Sequence, residues 1–323
     1  MRLALGTAQF GIPYGIANTS GQVDQAEVQA ILNYANLMGI DTLDTAITYG
    51  ESEQCLGNVG VSNWNVISKL PEIPSDCKNL TKWVRSHVDK SLSRLGIKSL
   101  SGLLLHRPNQ LLDPNNKNLW PALTKLKKDG TIRKIGFSIY SPKELDKLWG
   151  LYQPDLVQAP YSIFDRSLIK SGWLQKMNND GVEVHVRSIF LQGLFYLNEH
   201  EIKIKFPDIY QTMKELHSII QNSDLLLCIG ARLSIPQIGR NYKYFARNAK
   251  KIIVDVDALE LNKKTVSSDI AINEDAKIFI EALLDETIDE QIKDYKDWLT
   301  QCKNWDMEFS SWDEKVYSHK EYI

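Results

Sequence analysis

The sequence predicts a parallel α/β protein built around a (β/α)8 TIM-type barrel, incomplete or closed by a foreign eighth strand, with a partial doubly wound segment behind it. Three observations predict it. Seven short apolar, β-rich runs alternate with amphipathic helical stretches over the first two thirds of the chain. Several of those runs end on a polar or ionisable residue, as strands do where they converge on one mouth of a barrel. Near residue 220 the pattern changes, and an eighth strand candidate arrives early.

The strand candidates are residues 3–8, 41–46, 65–70, 100–106, 132–138, 156–162 and 183–189. Between them, residues 25–39 set Val28, Ile31, Leu32 and Ala35 on one helical stripe. Residues 81–96 repeat the pattern with Trp83, Val84, His87, Leu92 and Leu95. LWPALTKLKK, PKELDKLWG and SLIKSGWLQKMNN supply later helices, and Trp83, Trp149 and Trp173 are expected to pack on the sheet. PDIYQTMKELHSII is the one helix before DLLLCIGA at 224–231. Two further strands, KIIVDVD and SDIAINE, and the helix DAKIFIEALLDE follow. Gly230 reads as a tight turn, and Asp255 and Asp257 close a strand. The stretch 287–303 has helical spacing, and no period persists after Trp305, where loose packing is expected.

At 323 residues the chain has room for one barrel or two domains. A net charge of -2 gives no electrostatic case for nucleic acid or an anionic membrane. Cys55, Cys77, Cys228 and Cys302 lack metal-ligand or paired spacing, so no metal site is expected, and they read as reduced thiols of a cytoplasmic protein. The densest apolar run, Leu225 to Ala231, is too short to span a bilayer, and the start lacks the regions of a signal peptide. The number of subunits is not legible.

The chemistry sits at four strand ends: Asp44 and Tyr49 in DTLDTAITYG, Lys69 in NVISKL and His106 in SGLLLHRP. A free phenol titrates near ~10, too high for ready acid–base work. A cationic Lys69 nearby is expected to lower that value, with Asp44 keeping the lysine charged and in place. His106 would orient a carbonyl oxygen or share the proton, and Tyr49 would donate to that oxygen as a hydride arrives at carbon. The protein cannot supply the hydride, so a nicotinamide cofactor is implied. Taken singly, each residue has a structural reading: a turn cap, a rim aromatic, a solvated strand end, a satisfied core histidine. Their joint occurrence in order favours the chemical one. His87, His185, His200, His217 and His319 show no ligand-like spacing.

Seven segments carry a resemblance: LALGTAQFG, GIDTLDTAITYGESEQCLG, VISKL, LLLHRP, IRKIGFSIYSPKEL, DLVQAPYSIFDRS and VHVRSIFLQGLF. In this order they resemble the aldo-keto reductases over residues 1 to about 220. The resemblance implies a catalytic tetrad of Asp44, Tyr49, Lys69 and His106, with Tyr49 as proton donor. It implies NADPH or NADH, with Ser138 and Gln158 on the carboxamide, Tyr161 stacked on the nicotinamide ring, and Ser188, Leu191 and Gly193 near the pyrophosphate. Ile139 stands where many relatives carry Asn, which removes one carboxamide contact. The implied substrate is a small carbonyl compound, with sugar-derived carbonyls suggested by analogy.

DLLLCIGARLS, FARNAKKIIVDVD and INEDAKIFIEALL resemble the central domain of thiamine-diphosphate enzymes of the acetolactate-synthase type, over about residues 222–285. About half of that domain is represented and no GDG…N segment occurs, so thiamine diphosphate is not expected. The expected organisation is therefore 1–221, 222–285 and a helical linker or tail over 286–323. DLLLCIG is expected to slide in as the eighth barrel strand, paired with the strand at Leu3 to Thr7, because it resembles the family's own eighth strand. Arg232, Ser234 and Arg240 are then candidates for a cofactor 2′-phosphate. Two other readings stay open: a Schiff-base aldolase using Lys69, and a hybrid chain without catalysis that acts at most as a binding module.

Overall fold

The computed structural model describes residues 3–162, 165–189, 191–197, 199–207, 210, 223–231, 233, 242, 245–287 and 300. The chain divides into two compact units, Met1–Gln192 with Lys303–Ile323, and Gly193–Cys302. That division falls earlier than the boundary expected at 221.

In the first unit seven strands form one sheet: β1 (Ala4–Gly6), β2 (Thr42–Asp44), β3 (Asn65–Leu70), β4 (Leu100–Leu105), β5 (Ile132–Ser138), β6 (Leu156–Pro160) and β7 (Glu183–Arg187). All seven expected strands are present, paired in chain order and all parallel. A parallel neighbour needs a crossover, and sequential order with a crossover at each step is that of an incomplete TIM-type barrel. The crossovers carry α1 (Gln25–Leu37), α2 (Ser52–Val59), α3 (Leu80–Leu95), α4 (Leu119–Lys128) and α5 (Lys143–Leu148). The last carries α6 (Ser167–Lys170) and α7 (Trp173–Asn179).

Local chemistry sets the helix ends. The Asp24 carboxylate accepts from the N–H of Glu27 at the start of α1, and the Asn79 side chain accepts from that of Lys82 at the start of α3. Gly96, at φ 66°, ends α3 in the left-handed region. SLIKSGWLQKMNN, expected as one helix, is two, because Gly172 takes φ 78° between them. The buried stripes agree with the sequence period: Val28, Leu32 and Ala35 on α1; Val84, Val88 and Leu95 on α3. Trp173 is buried, and Trp83 and Trp149 pack half-buried on the same core. The other face of the sheet holds a small cluster of Ile67, Leu104 and Leu156. Strand alternation puts Lys69 and Gln158 on that same face.

The second unit has α8 (Glu199–Lys205), β8 (Leu225–Ile229), β9 (Lys250–Asp255), α9 (Ala258–Leu261), β10 (Ile270–Asn273) and α10 (Ala276–Thr287). Here the expectation of barrel closure is corrected. β8 pairs with β9, Leu227 in register with Ile252 and Cys228 with Ile253, in a separate parallel sheet ordered β10-β9-β8. β9 offers a continuous register from Lys250 to Val254, prolonged at both ends by backbone bonds from Lys250 N to Asp224 O and from Gly230 N to Val254 O. Such an order is one half of a doubly wound sheet. Asp255 closes β9 and accepts from the N–H of Asp257, which in turn caps α9 through Leu259. Nearly all of PDIYQTMKELHSII, the stretch from Ile288, the tail and Arg232, Ser234 and Arg240 lie outside the described residues. No helix among the described residues is long and apolar enough to cross a membrane.

Candidate active site

Asp44 ends β2 and Lys69 lies near the end of the adjacent β3. The Lys69 ammonium donates to both Asp44 carboxylate oxygens at 2.9 Å and to the Thr45 carbonyl at 2.9 Å. Its three N–H bonds are thereby all used. Lys69 is 1% exposed and Asp44 17%, so the charge is buried together with its counter-charge. Gln158, in the middle of β6, donates its amide to Asp44 at 2.8 Å.

Tyr49 lies in the turn after β2. Its N–H donates to the Ala46 carbonyl and its own carbonyl accepts from Ser52, both at 3.0 Å. Beneath the turn three fully buried hydroxyls lock together. Ser52 Oγ donates to the Thr7 carbonyl at 2.9 Å and lies 3.2 Å from Thr45 Oγ1, while Thr7 Oγ1 donates to the Asp44 carbonyl at 3.0 Å. Gly11 comes so close that a Cβ there would lie 1.8 Å from the Tyr49 carbonyl oxygen and 2.3 Å from Ser52 N. Only glycine tolerates that approach.

His106 follows β4, its N–H donating to the Leu70 carbonyl at 3.1 Å. Its ring meets that of Tyr49 edge to face, 6.1 Å between centroids at 76°, and Nδ1 lies 3.4 Å from Thr48 Oγ1. Lys69 Nζ lies 5.0 Å from the centre of the Tyr49 ring. The structure thus brings Asp44, Tyr49, Lys69 and His106 together at the C-terminal ends of β2, β3 and β4.

The electrostatics differ from the sequence expectation at one point. Burial, and then the Asp44 carboxylate, push the Tyr49 phenol well above its usual value, with Arg187 pulling the other way. A lowering by Lys69 was expected; Asp44 sits directly on that ammonium and offsets its charge. His106 is held down to about 3 by burial and then by the cations Lys69, Arg107 and Arg187, so its ring is neutral.

Ser138 ends β5 and Gln158 lies beside it in register. Both are buried, and the Ser138 hydroxyl donates to Gln158 Oε1 at 3.3 Å. A hydroxyl and an amide each offer donor and acceptor capacity, which fits a carboxamide. Tyr161, half-buried just past β6, donates its N–H to the Arg187 carbonyl at 3.0 Å. Ser188 follows β7 with φ 60°, a left-handed conformation uncommon outside glycine. Leu191 opens the 3-10 turn Leu191–Tyr196, which includes Gly193, the first residue of the second unit.

Four residues escaped sequence reasoning. Arg107, Tyr140 and Arg187 act on the charges of Tyr49 or His106, and burial followed by Tyr49 raises the Tyr14 phenol. The strand-end rule that gave His106 also marks Arg187, the last residue of β7. Tyr14 lies in an irregular loop, where no period signals it.

The aldo/keto reductase family model matches residues 2–231. The chain belongs to the aldo/keto reductase family. A second model, the central domain of thiamine pyrophosphate enzymes, matches residues 198–283. The NADH-specific methylglyoxal reductase of Escherichia coli is 28% identical over 221 residues, covering 60% of this aldo/keto reductase and 64% of that protein. A protein of Methanocaldococcus jannaschii named "Probable acetolactate synthase large subunit" is 34% identical over 101 residues, 31% of this chain and 17% of that one. An aldo-keto reductase from Bacillus halodurans, solved in its holo form, shares the fold with a TM-score of 0.52 at 22% identity, over 66% of this chain and 72% of that one. The chain spans 58%, 50% and 64% of three curated oxidoreductase relatives, so their length exceeds the matched part.

Proposed function

We propose that this aldo/keto reductase reduces a small aldehyde or ketone with NADPH or NADH, and that Tyr49 gives the proton. The observation that carries the reading is the meeting of a phenol, an ammonium–carboxylate pair and an imidazole at one end of the sheet. When bound, the nicotinamide supplies the hydride. Ser138, Gln158 and Tyr161 would hold it, with Ser188 toward its phosphates. Tyr49 stays protonated at neutral pH and gives that proton to the carbonyl oxygen. The phenolate left behind is favoured by the Arg187 cation, while the paired Lys69 ammonium stays 5.0 Å from the centre of the ring. His106, neutral, orients the same oxygen through a hydrogen bond. Lys69 is ill suited to imine formation, since its three donated N–H bonds leave no lone pair free for attack.

We read residues 1–221 as the reductase part and 222–285 as a partial central domain with a tail over 286–323. Two tests follow in order. NADPH fluorescence is titrated with protein, and no change would favour the reading of a hybrid chain without catalysis. Tyr49→Phe is then compared with wild type on methylglyoxal, the compound named for the E. coli relative. The variant is expected to keep cofactor binding and lose at least about 100-fold in kcat. Equal rates would remove Tyr49 from the role.

A further inference from the structure

Two cations at the same rim are left unused by this chemistry. Arg107 follows His106 directly, and Arg187 ends β7. Both guanidiniums lie against one aromatic ring, Arg107 Cζ at 4.5 Å and Arg187 Cζ at 4.6 Å from the centre of Tyr140. Tyr140 stands two residues past the end of β5. Three strand ends therefore deliver an Arg–Tyr–Arg stack beside the tetrad, near enough for both arginines to act on the His106 ring.

The two cations are held differently. Arg187 is anchored, donating to the Ile139 carbonyl at 3.1 Å and to Ser188 Oγ at 3.3 Å. Arg107 is exposed, and among the described residues its guanidinium has the Tyr140 ring as its partner. No carboxylate ion-pairs with either arginine among the described residues. Asp44 is taken by Lys69, and Glu144, the carboxylate beside Tyr140, accepts from the backbone of Tyr140 and Ser141 and from Asn109. Two like charges gathered on one ring without a counter-ion form a ready cradle for an anion, and the guanidinium fork matches phosphate and carboxylate oxygens.

We propose that Arg107 and Arg187 form an anion-recognition pair that selects carbonyl substrates bearing a phosphate or carboxylate group; this rests on the reductase reading above. Arg187 fixes the place, and Arg107 completes the grip from the exposed side.

The test uses the full chain loaded with NADPH. The ratio of kcat/KM for glyceraldehyde 3-phosphate to that for uncharged glyceraldehyde is measured in wild type, Arg107→Gln and Arg107→Lys. A second ratio, succinic semialdehyde to glyceraldehyde, separates carboxylate from phosphate. The larger ratio in wild type is expected to fall about tenfold in Arg107→Gln and to recover in part in Arg107→Lys. It is also expected to shrink as ionic strength rises. Unchanged ratios in Arg107→Gln overturn the proposal, as does a loss confined to NADPH affinity, which would assign the pair to the cofactor's phosphates. Calorimetric titration of the same loaded protein with glyceraldehyde 3-phosphate keeps the two readings apart. Binding that Arg107→Gln weakens about tenfold, without turnover of any aldehyde, sustains the anion pair and sinks the reductase reading. No binding and no anionic preference in wild type sink the pair.

Discussion

Tyr49 and His106 meet edge to face, and burial drives both rings toward their neutral forms. For His106 this has a consequence in stability. Its folded value, about 3, lies below the ordinary 6.5, so in mild acid the unfolded chain takes up a proton that the folded chain refuses. Its contribution is fully present above 6.5 and is lost as pH falls toward about 3. His106→Gln should therefore lose less stability than wild type between pH 7 and about 4, read as the shift in urea midpoint. Parallel losses in the two proteins would rule out this account. Asp44, Lys69 and His106 were legible in the sequence because a polar residue closing an apolar run has one place to go in a parallel sheet. The direction of the Tyr49 shift was not legible, since sequence spacing reports neither burial nor that Asp44 sits on the ammonium.

At the level of the element, the turn that carries Tyr49 is positioned by the segment TAQFG passing beneath it. Thr7 and Ser52 tie it by hydroxyls, and Gly11 meets it backbone to backbone. Gly11→Ala must push the turn outward. The expected cost is about 1–3 kcal/mol in urea unfolding, with a loss of at least roughly tenfold in kcat from the displaced phenol. Unaltered activity would show that the turn can shift without moving the phenol. Helix and strand periods were readable throughout the first unit, because each element buries one side against a common core. The break at Gly172 was not read, as SLIKSGWLQKMNN keeps helical spacing across it. β8 was identified as a strand but given the wrong partner. Period fixes that a run is extended, and not which neighbour offers the longer register.

At the scale of the molecule, each compact unit has its own apolar core among the described residues. The first unit packs its helices on seven strands around a large apolar cluster. Among the described residues, the second unit's cluster is smaller and includes Cys228, Phe245, Ala246 and Ile253. Domains with little buried apolar surface are the less stable ones. Calorimetry of the full chain should show two transitions, the second unit's smaller and at lower temperature. One transition whose calorimetric and van't Hoff enthalpies agree would contradict separate folding. The change of character near residue 220 falls inside the second compact unit, Gly193–Cys302.

Asp44, Tyr49, Lys69 and His106 all come from the successive strands β2, β3 and β4 and the turns that follow them. Among the described residues beyond β4, Gln158 on β6 braces Asp44 and Arg187 at the end of β7 adds its charge to Tyr49 and His106. An architecture of this kind is tolerant of damage at its far margin. A splice, a loss or an exchange past β7 alters what the protein can hold, while these four side chains stay where the first half of the chain sets them.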